Sequence, residues 1–376
     1  MARIEGSLGA DGVTVKFGQP SAAMAFRSSF SGMSGDARAK LTFAMGTLEE
    51  QSSNEIRVYE VPLPAPSGRP VRTLHRDPPA AVASQPDPVT RIVWQPDFAR
   101  SSERLIASGE ALRLYEYSDG GDGASLRPIR VFRPPQLHTA NTEASSEDSL
   151  LTSCDWSWGE SWKAAACAEE GNVTLFDLNR GEAVSTFIAH PTGMDDVRFG
   201  SSSLLTAGRD GQLRHFDLRT KPTAFCCLYS NTGPDAAPNC REGPILRIET
   251  NPLDENFVAL IEREDMRVTI VDLRKVNKPF CARSTSFPTG IAWHPANSKR
   301  LLSTYERGQL IMWSIESTKD AEQHRTKSVG GLGLREEAFG VQWSRVHTDW
   351  KALQHIDSVV LTNALADTDR DMLSYV

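Results

Sequence analysis

The sequence has no long apolar run, and none of its hydrophobic stretches approaches the roughly 18 residues of a membrane-spanning helix. The N-terminal stretch MARIEGSLGADG has no apolar core of the secretory type, so we expect no secretory leader. The 41 Lys and Arg residues are scattered among 48 Asp and Glu residues, and the net charge is −7. We therefore expect neither a membrane span nor a surface that binds nucleic acid directly.

Cysteine is scarce and its spacing is not that of a metal site. The six cysteines form no CxxC pair and have no histidine at zinc-finger spacing; they lie at positions 154, 167, 226, 227, 240 and 281. This pattern is typical of reduced, buried thiols, which favours the cytoplasm and nucleus. Since none of the eight histidines has a second ligand-type residue at a suitable spacing, we expect no metal and no cofactor.

Loop motifs that would indicate catalysis are incomplete. Gly330-Gly-Leu-Gly333 lacks the Lys-Ser or Lys-Thr of a Walker loop, and Gly32-Met-Ser-Gly35 lacks the second glycine of a nucleophile elbow. Both segments are interpreted as plain loops. We therefore expect the chain not to be an enzyme.

The sequence does contain a hairpin signal, SLLTAGRDGQLRHFDLR, at residues 203 to 219. Its Asp210-Gly211 pair stands between two alternating apolar runs, and glycine supplies the positive φ that a tight turn needs. Because one hairpin cannot bury its own face, it must recur or find a partner.

The second strand of this hairpin recurs along the chain as a hexapeptide with apolar residues at alternate positions, which is the pattern of a strand with one buried face. The copies are IRVYEV (56–61), LRLYEY (112–117), VTLFDL (173–178), LRHFDL (213–218), VTIVDL (268–273), LIMWSI (310–315) and the weaker VVLTNA (359–364).

Each hexapeptide is predicted to be the third strand of a four-stranded unit. First strands end in an aromatic or large apolar residue, at 24–26, 92–94, 153–156, 196–199, 246–248, 291–293 and 341–343. Second strands are predicted at 41–45, 104–107, 163–167, 204–207, 257–261, 301–304 and 351–354. Fourth strands are predicted at 69–74, 127–132, 183–188, 223–229, 280–284 and 325–329, with the N-terminal residues 12–17 supplying the seventh.

Seven such units predict an all-β, seven-bladed propeller that occupies residues 1–376 as a single domain and is closed by its N-terminal strand. A chain of this length exceeds the size at which one core stops growing, which also favours a repeat array. Loop insertions are predicted near 75–88, 133–149, 230–243 and 316–337. The first three should lie on one face, which suits a platform for partners, although disordered growth explains any single loop equally well.

The pattern resembles the WD-repeat family over nearly the whole chain. In the unit 190–219, Ala189-His190 stands for the Gly-His pair and Phe216-Asp217 for Trp-Asp. The resemblance implies structural roles for His190, Thr206 and Asp210 in a hydrogen-bonded tetrad. Because Phe216 has no indole N–H, that tetrad would be incomplete, and we expect packing to stabilise the blades more than this network does.

Segments such as LLTSCDW (150–156), GPILRIETNPLDENFVAL (243–260) and GIAWHP (290–295) are similar to a narrower subfamily of WD-repeat scaffolds. It includes the plant Transparent Testa Glabra protein, the petunia anthocyanin regulator and an animal cullin-associated factor. The resemblance implies a non-enzymatic platform, which in plants joins MYB and basic helix-loop-helix transcription factors and in animals holds dual-specificity kinases.

Two arginine sets are candidate partner-binding residues. Arg209, Arg263 and Arg307 fall in the second-to-third-strand turns of three successive units and could form a basic arc for an acidic or phosphorylated segment. The alternative is that they are solvated turn residues. Arg219 and Arg274 follow Asp-Leu on the opposite face and resemble the Trp-Asp-x-Arg signature that docks on a cullin-RING ligase adaptor, or they pair with Asp and order the next loop.

Three functions remain open at this point. The leading one is a scaffold that assembles kinases or transcription regulators, with the chain monomeric within a hetero-complex. The others are a substrate receptor of a cullin-RING ubiquitin ligase and an architectural subunit of a large assembly. The cluster Trp156, Trp158 and Trp162 is either core or a stacking platform for a ligand.

Overall fold

The computed structural model describes most of the chain, and every structural statement below concerns the residues it describes. They are residues 12–17, 19–27, 40–49, 53–63, 72–74, 78–96, 104–119, 123–135, 150–219, 225–232, 242–317, 324–334 and 336–363. These ranges hold strands and loops only, and no helix within them could cross a bilayer.

The strands follow one another in hairpin order along the chain. The first ten are β1 (Gly12–Lys16), β2 (Ser21–Phe26), β3 (Lys40–Thr47), β4 (Asn54–Pro62), β5 (Arg72–Leu74), β6 (Ala81–Gln85), β7 (Arg91–Trp94), β8 (Arg104–Ser108), β9 (Leu112–Ser118) and β10 (Ser125–Phe132). The next ten are β11 (Leu151–Trp156), β12 (Lys163–Ala168), β13 (Asn172–Asp177), β14 (Glu182–Ile188), β15 (Met194–Phe199), β16 (Ser203–Gly208), β17 (Gln212–Asp217), β18 (Cys226–Ser230), β19 (Ile245–Thr250) and β20 (Phe257–Glu262). The last nine are β21 (Arg267–Asp272), β22 (Phe280–Arg283), β23 (Pro288–Trp293), β24 (Arg300–Tyr305), β25 (Gln309–Ser317), β26 (His324–Gly333), β27 (Gly340–Trp343), β28 (Lys351–Gln354) and β29 (Ser358–Thr362).

These strands form seven sheets, which we number as blades in chain order. Blade 1 contains β2, β3, β4 and β6, and blades 2 to 6 contain four consecutive strands each, from β7 to β26. Blade 7 has the order β27, β28, β29, β1 and β5. The first strands of neighbouring blades contact one another all the way round, so the sheets close into a ring around a central channel. The predicted all-β, seven-bladed propeller is confirmed.

The N-terminal strand closes the ring, as the sequence predicts. β1 pairs antiparallel with β29, so that Val13 lies opposite Leu361 and Val15 opposite Val359. Both valines are buried, because alternate residues of β1 face the core of the last blade. The seam is also bridged by Gln342, whose Nε2 donates to the Met24 carbonyl at 2.6 Å and whose Oε1 accepts from the Phe26 N–H at 3.3 Å.

The predicted fourth strand of blade 1, residues 69–74, is wrong. Its end, β5, pairs parallel with β1 as a fifth strand of blade 7. The fourth strand is instead β6, which pairs antiparallel with β4 and lies inside the predicted insertion 75–88. Prolines bracket β6 without entering it, so their absent N–H groups cost no ladder hydrogen bond.

Blade 6 also departs from prediction. Much of the predicted loop at 316–337 is the ten-residue strand β26, which pairs with β25 along its length. The glycine-rich segment 330–333, interpreted from sequence as a plain loop, is the second half of this strand. Glycine weakens a strand and masks the alternating pattern, which explains the error. Most of the predicted insertions 133–149 and 230–243 lies outside the described residues.

Large side chains at the ends of the first strands pack between blades. Trp156 is buried among blade 2 and blade 3 residues, where the Phe132 and Phe176 rings meet edge to face at 5.7 Å. Trp94 also donates its indole N–H to the Ala25 carbonyl of blade 1 at 3.0 Å. Burying one such side chain contributes about 1.5–3 kcal/mol, so the joints between blades carry much of the stability.

The ring has two faces that differ in their loops. On the upper face, turns between second and third strands meet the connections between blades; for example, the Arg209 N–H donates to the Gly193 carbonyl at 2.9 Å. The Arg263 N–H donates likewise to the Pro244 carbonyl at 2.9 Å. The lower face carries the turns between first and second strands and between third and fourth strands.

Candidate protein-interaction faces

The β16–β17 turn of blade 4 is held by a buried histidine. Gly211 has φ +72°, a conformation that glycine adopts without strain and that this tight turn requires. His190 Nδ1 lies 2.9 Å from Asp210 Oδ1, and its Nε2 lies 2.8 Å from the Thr206 hydroxyl. Asp210 also accepts from the Arg214 guanidinium at 2.7 Å. The structure thus brings together the three residues for which the resemblance implied structural roles.

The fourth member of that network is absent, because Phe216 packs against the Phe187 ring at 5.0 Å instead of donating a hydrogen bond. Other blades nevertheless have buried polar networks of their own. In blade 2, Arg113 binds Asp87 at 2.6 Å; in blade 6, the Trp313 indole donates to Ser303 at 2.7 Å. Buried polar pairs therefore also occur in blades that lack the recognisable motif, and the greater contribution of packing over the His190 network stays a prediction.

Arg209 on the upper face is an ion-paired residue. Its guanidinium donates to Asp195 at 3.0 Å and to Glu169 at 3.0 Å, which joins the turns of blades 3 and 4. The hydrogen bond that Arg209 donates to Asp195 is the main cause that raises the pKa of Arg209. Most of its charge is therefore offset within the molecule.

Arg263 and Arg307 occupy the corresponding turns of blades 5 and 6 and are exposed. Within the described ranges neither side chain forms an ion pair. Their exposed neighbours Glu264 and Glu306 lie in the same turns. The three arginines thus share the upper face, but the surface around them has mixed charge, and two of the three guanidinium groups are open to a partner.

Arg219 and Arg274 lie on the lower face, each bound to the aspartate two residues before it. Arg219 contacts Asp217 at 2.6 Å and Arg274 contacts Asp272 at 2.8 Å, and both aspartates also accept the backbone N–H of their arginine at 3.0 Å. This geometry matches the alternative in which an Asp-Arg pair orders the loop. The arginine side chains remain 75% and 51% exposed, so both can still meet a partner.

The two Asp-Arg pairs lower the pKa values of their aspartates. Hydrogen bonds from Arg219 lower the pKa of Asp217 from 3.8 to about 2. For Asp272, burial acts to raise the pKa, but hydrogen bonds from Arg274 outweigh it and lower the value. Both carboxylates are therefore ionised over the physiological range.

A histidine that the sequence did not indicate joins blades 5 and 6 near Arg274. His324 Nε2 lies 3.2 Å from Asp272 Oδ2, and its ring lies 5.3 Å from the rings of both Phe257 and Phe280. Arg274 lies 5.3 Å from the Phe257 ring. No spacing rule reveals this contact, because His324 belongs to the poorly marked strand β26.

Two members of the tryptophan cluster have different surroundings. Trp156 is core, with its indole N–H donating to the Ser161 carbonyl at 2.8 Å. Trp158 is 44% exposed, and the guanidinium of Arg345 from blade 7 lies 3.9 Å from its ring centre. Trp158 and Arg345 thus meet across the lower mouth of the channel.

The inner wall of the channel carries charges that the sequence reading missed. The buried Arg198 binds Asp196, and its Nε lies 3.3 Å from Glu249 of blade 5. Asp155 accepts the Phe199 N–H at 2.8 Å, and its burial raises its pKa. The sequence did contain a signal for these charges. Because side chains alternate along a strand, the residues one and three positions before each first-strand aromatic must face the channel.

The described residues include side chains that can bind metals and several free thiols. No cluster of three or more His, Cys, Asp or Glu side chains suited to a metal occurs among them. Cys154 and Cys167 are buried, and burial raises the pKa of each thiol to about 12, so both are poor nucleophiles. Cys226 and Cys227 are free and exposed, and Cys240 lies outside the described residues.

No protein-family model matches the sequence. The chain is 27% identical over 274 residues to the "DDB1- and CUL4-associated factor 7 homolog" of Dictyostelium discoideum, a match that covers 71% of this chain and 77% of that protein. It is 24% identical over 273 residues to a WD repeat-containing protein of Saccharomyces cerevisiae. That second match covers 66% of this chain and 52% of the yeast protein, so the chain spans about half of that relative.

Proposed function

We propose that this seven-bladed β-propeller, which is similar to WD-repeat proteins over most of its length, is a non-enzymatic scaffold on which other proteins assemble. The observation that carries the proposal is the upper face, where Arg263 and Arg307 are held exposed on the turns of two successive blades. The backbone N–H of Arg263 donates to the Pro244 carbonyl at 2.9 Å, so a partner need order the arginine side chain but not its turn.

The partner segment that fits this face is acidic or phosphorylated. Arginine's planar guanidinium binds carboxylate or phosphate through two parallel hydrogen bonds, which adds geometric specificity. The neighbouring Glu264 and Glu306 would reject segments whose acidic groups are out of register. By similarity to the WD-repeat scaffold subfamily, we propose kinases or transcription regulators as partners, in the cytoplasm and nucleus.

Affinity capture with mass spectrometry from the native cell tests this proposal. The comparison is between the wild-type chain and the triple variant R209E, R263E and R307E, with Arg127→Glu as the control. Arg127 is 70% exposed on the outer strand β10, away from the upper face. We expect the triple variant to lose at least one stoichiometric partner that the control retains. Identical partners at unchanged affinity in all three would refute a role for the upper-face arginines.

A second candidate function is substrate receptor of a cullin-RING ubiquitin ligase. The name of the Dictyostelium relative associates that protein with DDB1 and CUL4. In this chain the support is the lower face, where Arg219 and Arg274 repeat one Asp-Leu-Arg geometry in adjacent blades and stay exposed.

Co-purification of the ligase adaptor distinguishes the two functions. The test variant is R219A combined with R274A, and the control is Arg180→Ala, which removes a 76% exposed arginine from the same face. A receptor predicts adaptor binding that only the double variant loses. No adaptor with the wild-type chain excludes this candidate, and a single complex that survives high salt favours an architectural subunit instead.

A further inference from the structure

A cavity of about 160 Å³ lies on the axis of the ring and is lined by the first strands and by residues that follow them. Its charged lining consists of Arg91, Asp155, Arg198, Arg247, Glu249 and Arg345. The volume is below the roughly 300–1,000 Å³ of a pocket for a drug-sized ligand, and it corresponds to several water molecules at about 30 Å³ each. The cavity therefore suits a small ion with some water.

The carboxylates of this wall are already engaged by protein groups. Asp196 accepts from Arg198, from the Ser153 hydroxyl at 2.7 Å and from the Ile248 N–H at 3.0 Å. Glu249 lies 3.3 Å from the same Arg198. These contacts outweigh burial and raise the pKa of Arg198, so this arginine is the one whose charge is fully offset.

The other three arginines have weaker compensation, since only Arg91 among them has an ion pair with a described residue, and Glu249 and Asp155 attract Arg345 without pairing with it. Arg91 reaches Asp196 only at 3.9 Å, and its Nε is buried without a hydrogen-bond partner in the described structure. Arg247 forms no ion pair with any described residue and is accessible to water from within the channel. Arg345 likewise has no described ion-pair partner and lies over the Trp158 ring.

These cations come from different sides of the ring. Arg91 belongs to blade 2, Arg247 to blade 5 and Arg345 to the loop after the first strand of blade 7, so their side chains enter the cavity from well-separated directions. Burial, and then the like charge of Arg91, lowers the pKa of Arg247; burial also lowers that of Arg345. Arg91 and Arg247 therefore repel one another, and an anion bound between them would offset that repulsion.

We propose that the channel binds a small tetrahedral oxyanion of the phosphate class between Arg91, Arg247 and Arg345. Three guanidinium groups that line one cavity from separate blades could each bind a different oxygen of such an ion, whereas a planar carboxylate offers only two. The bound ion would join blades 2, 5 and 7 across the axis. This site is distinct from the upper-face arginines, so either proposal can fail alone.

Thermal unfolding of the full chain with inorganic phosphate as the probe, at ionic strength held constant with chloride, tests the site. We expect phosphate to raise the melting temperature of the wild type in a saturable way, because a ligand of the folded state stabilises it. Arg247→Gln should weaken the apparent affinity about tenfold or more. Arg127→Gln, on the outer strand β10 and outside the cavity, should respond like the wild type. Without phosphate, Arg247→Gln should melt no lower than the wild type, because it removes a repelled charge.

A second variant and other ions complete the test. Arg345→Gln should also weaken the phosphate response, and sulfate should replace phosphate while acetate should not. ³¹P line broadening of phosphate should be present with the wild type and reduced with both cavity variants. The proposal is overturned if the wild type shows no saturable phosphate response, if Arg247→Gln keeps the full response, or if acetate acts as well as phosphate.

Discussion

At the scale of single residues, some interior hydrogen bonds could be predicted from the sequence and others could not. His190, Thr206 and Asp210 could be identified because they match a known spacing within one hairpin. Arg113 and Asp87 perform a related task in blade 2 but come from the third strand and from the connection before the blade. Such a pair has no local signature, because only the folded ring brings its members together.

Thr206→Val tests the network of blade 4. Valine keeps the shape of the side chain but removes the hydroxyl, which leaves the buried Nε2 of His190 without its partner. We expect a loss of about 1–3 kcal/mol in the free energy of unfolding, measured in urea. Thr14→Val, at a half-buried position of β1, should change it by no more than about 0.5 kcal/mol. Equal midpoints for the two variants would contradict the assigned role of Thr206.

Asp210 predicts a specific dependence of stability on pH. Burial acts to raise its pKa, but hydrogen bonding and charge from His190, together with the charge of Arg214, outweigh burial and lower it from 3.8. Since the folded pKa is below the unfolded one, this group stabilises the protein above about pH 4, and the contribution is lost as the pH falls through the lowered value.

Urea unfolding at a series of pH values measures this contribution. Asp210→Asn should lower stability near neutral pH and make its decline in acid shallower than in the wild type. Glu306→Gln, an exposed upper-face control, should reproduce the wild-type profile. A wild-type slope in the Asp210→Asn variant would show that Asp210 is not the responsible group.

At the scale of elements, most first, second and third strands could be predicted, because each has a buried face and ends at a turn. The fourth strands of blades 2 to 7 could also be placed, but that of blade 1 could not, since outer strands are largely exposed and their alternation is weak. Residues 69–74 and 127–132 look alike in sequence, yet β5 lies at the edge of blade 7 while β10 completes blade 2. The strand with which each segment pairs, and not its local sequence pattern, decides between these two outcomes.

A pair of substitutions in β6 tests that assignment. Ala83 is buried against blade 1, whereas the adjacent Val82 is 44% exposed. Ala83→Lys should cost about 3 kcal/mol or more, because it buries an unpaired charge, and Val82→Lys should cost about 0.5 kcal/mol at most. Urea unfolding measures both. If Ala83→Lys is as well tolerated as Val82→Lys, residues 81–85 are not the fourth strand of blade 1.

At the scale of the whole molecule, ring closure underlies both proposed faces and the channel. The sheets could be counted from the hexapeptides, and the need to protect strand edges predicted that the N-terminal strand would complete the last blade. The charged channel wall could not be predicted, because its residues come from different blades and meet only in the closed ring. The upper-face arginines could be placed, but the partners of Arg209 could not.

The most direct measurement of closure is disulfide trapping across the seam between β1 and β29. Thr14 and Val360 are directly opposed and both half-buried, so Thr14→Cys with Val360→Cys places two thiols within bonding reach. Thr14→Cys with Thr362→Cys is the control, shifted by two residues along β29. We predict that mild oxidation of the native chain links the first pair within one molecule and leaves the control pair reduced. A first pair that stays reduced, or that links only between molecules, would contradict the closed ring.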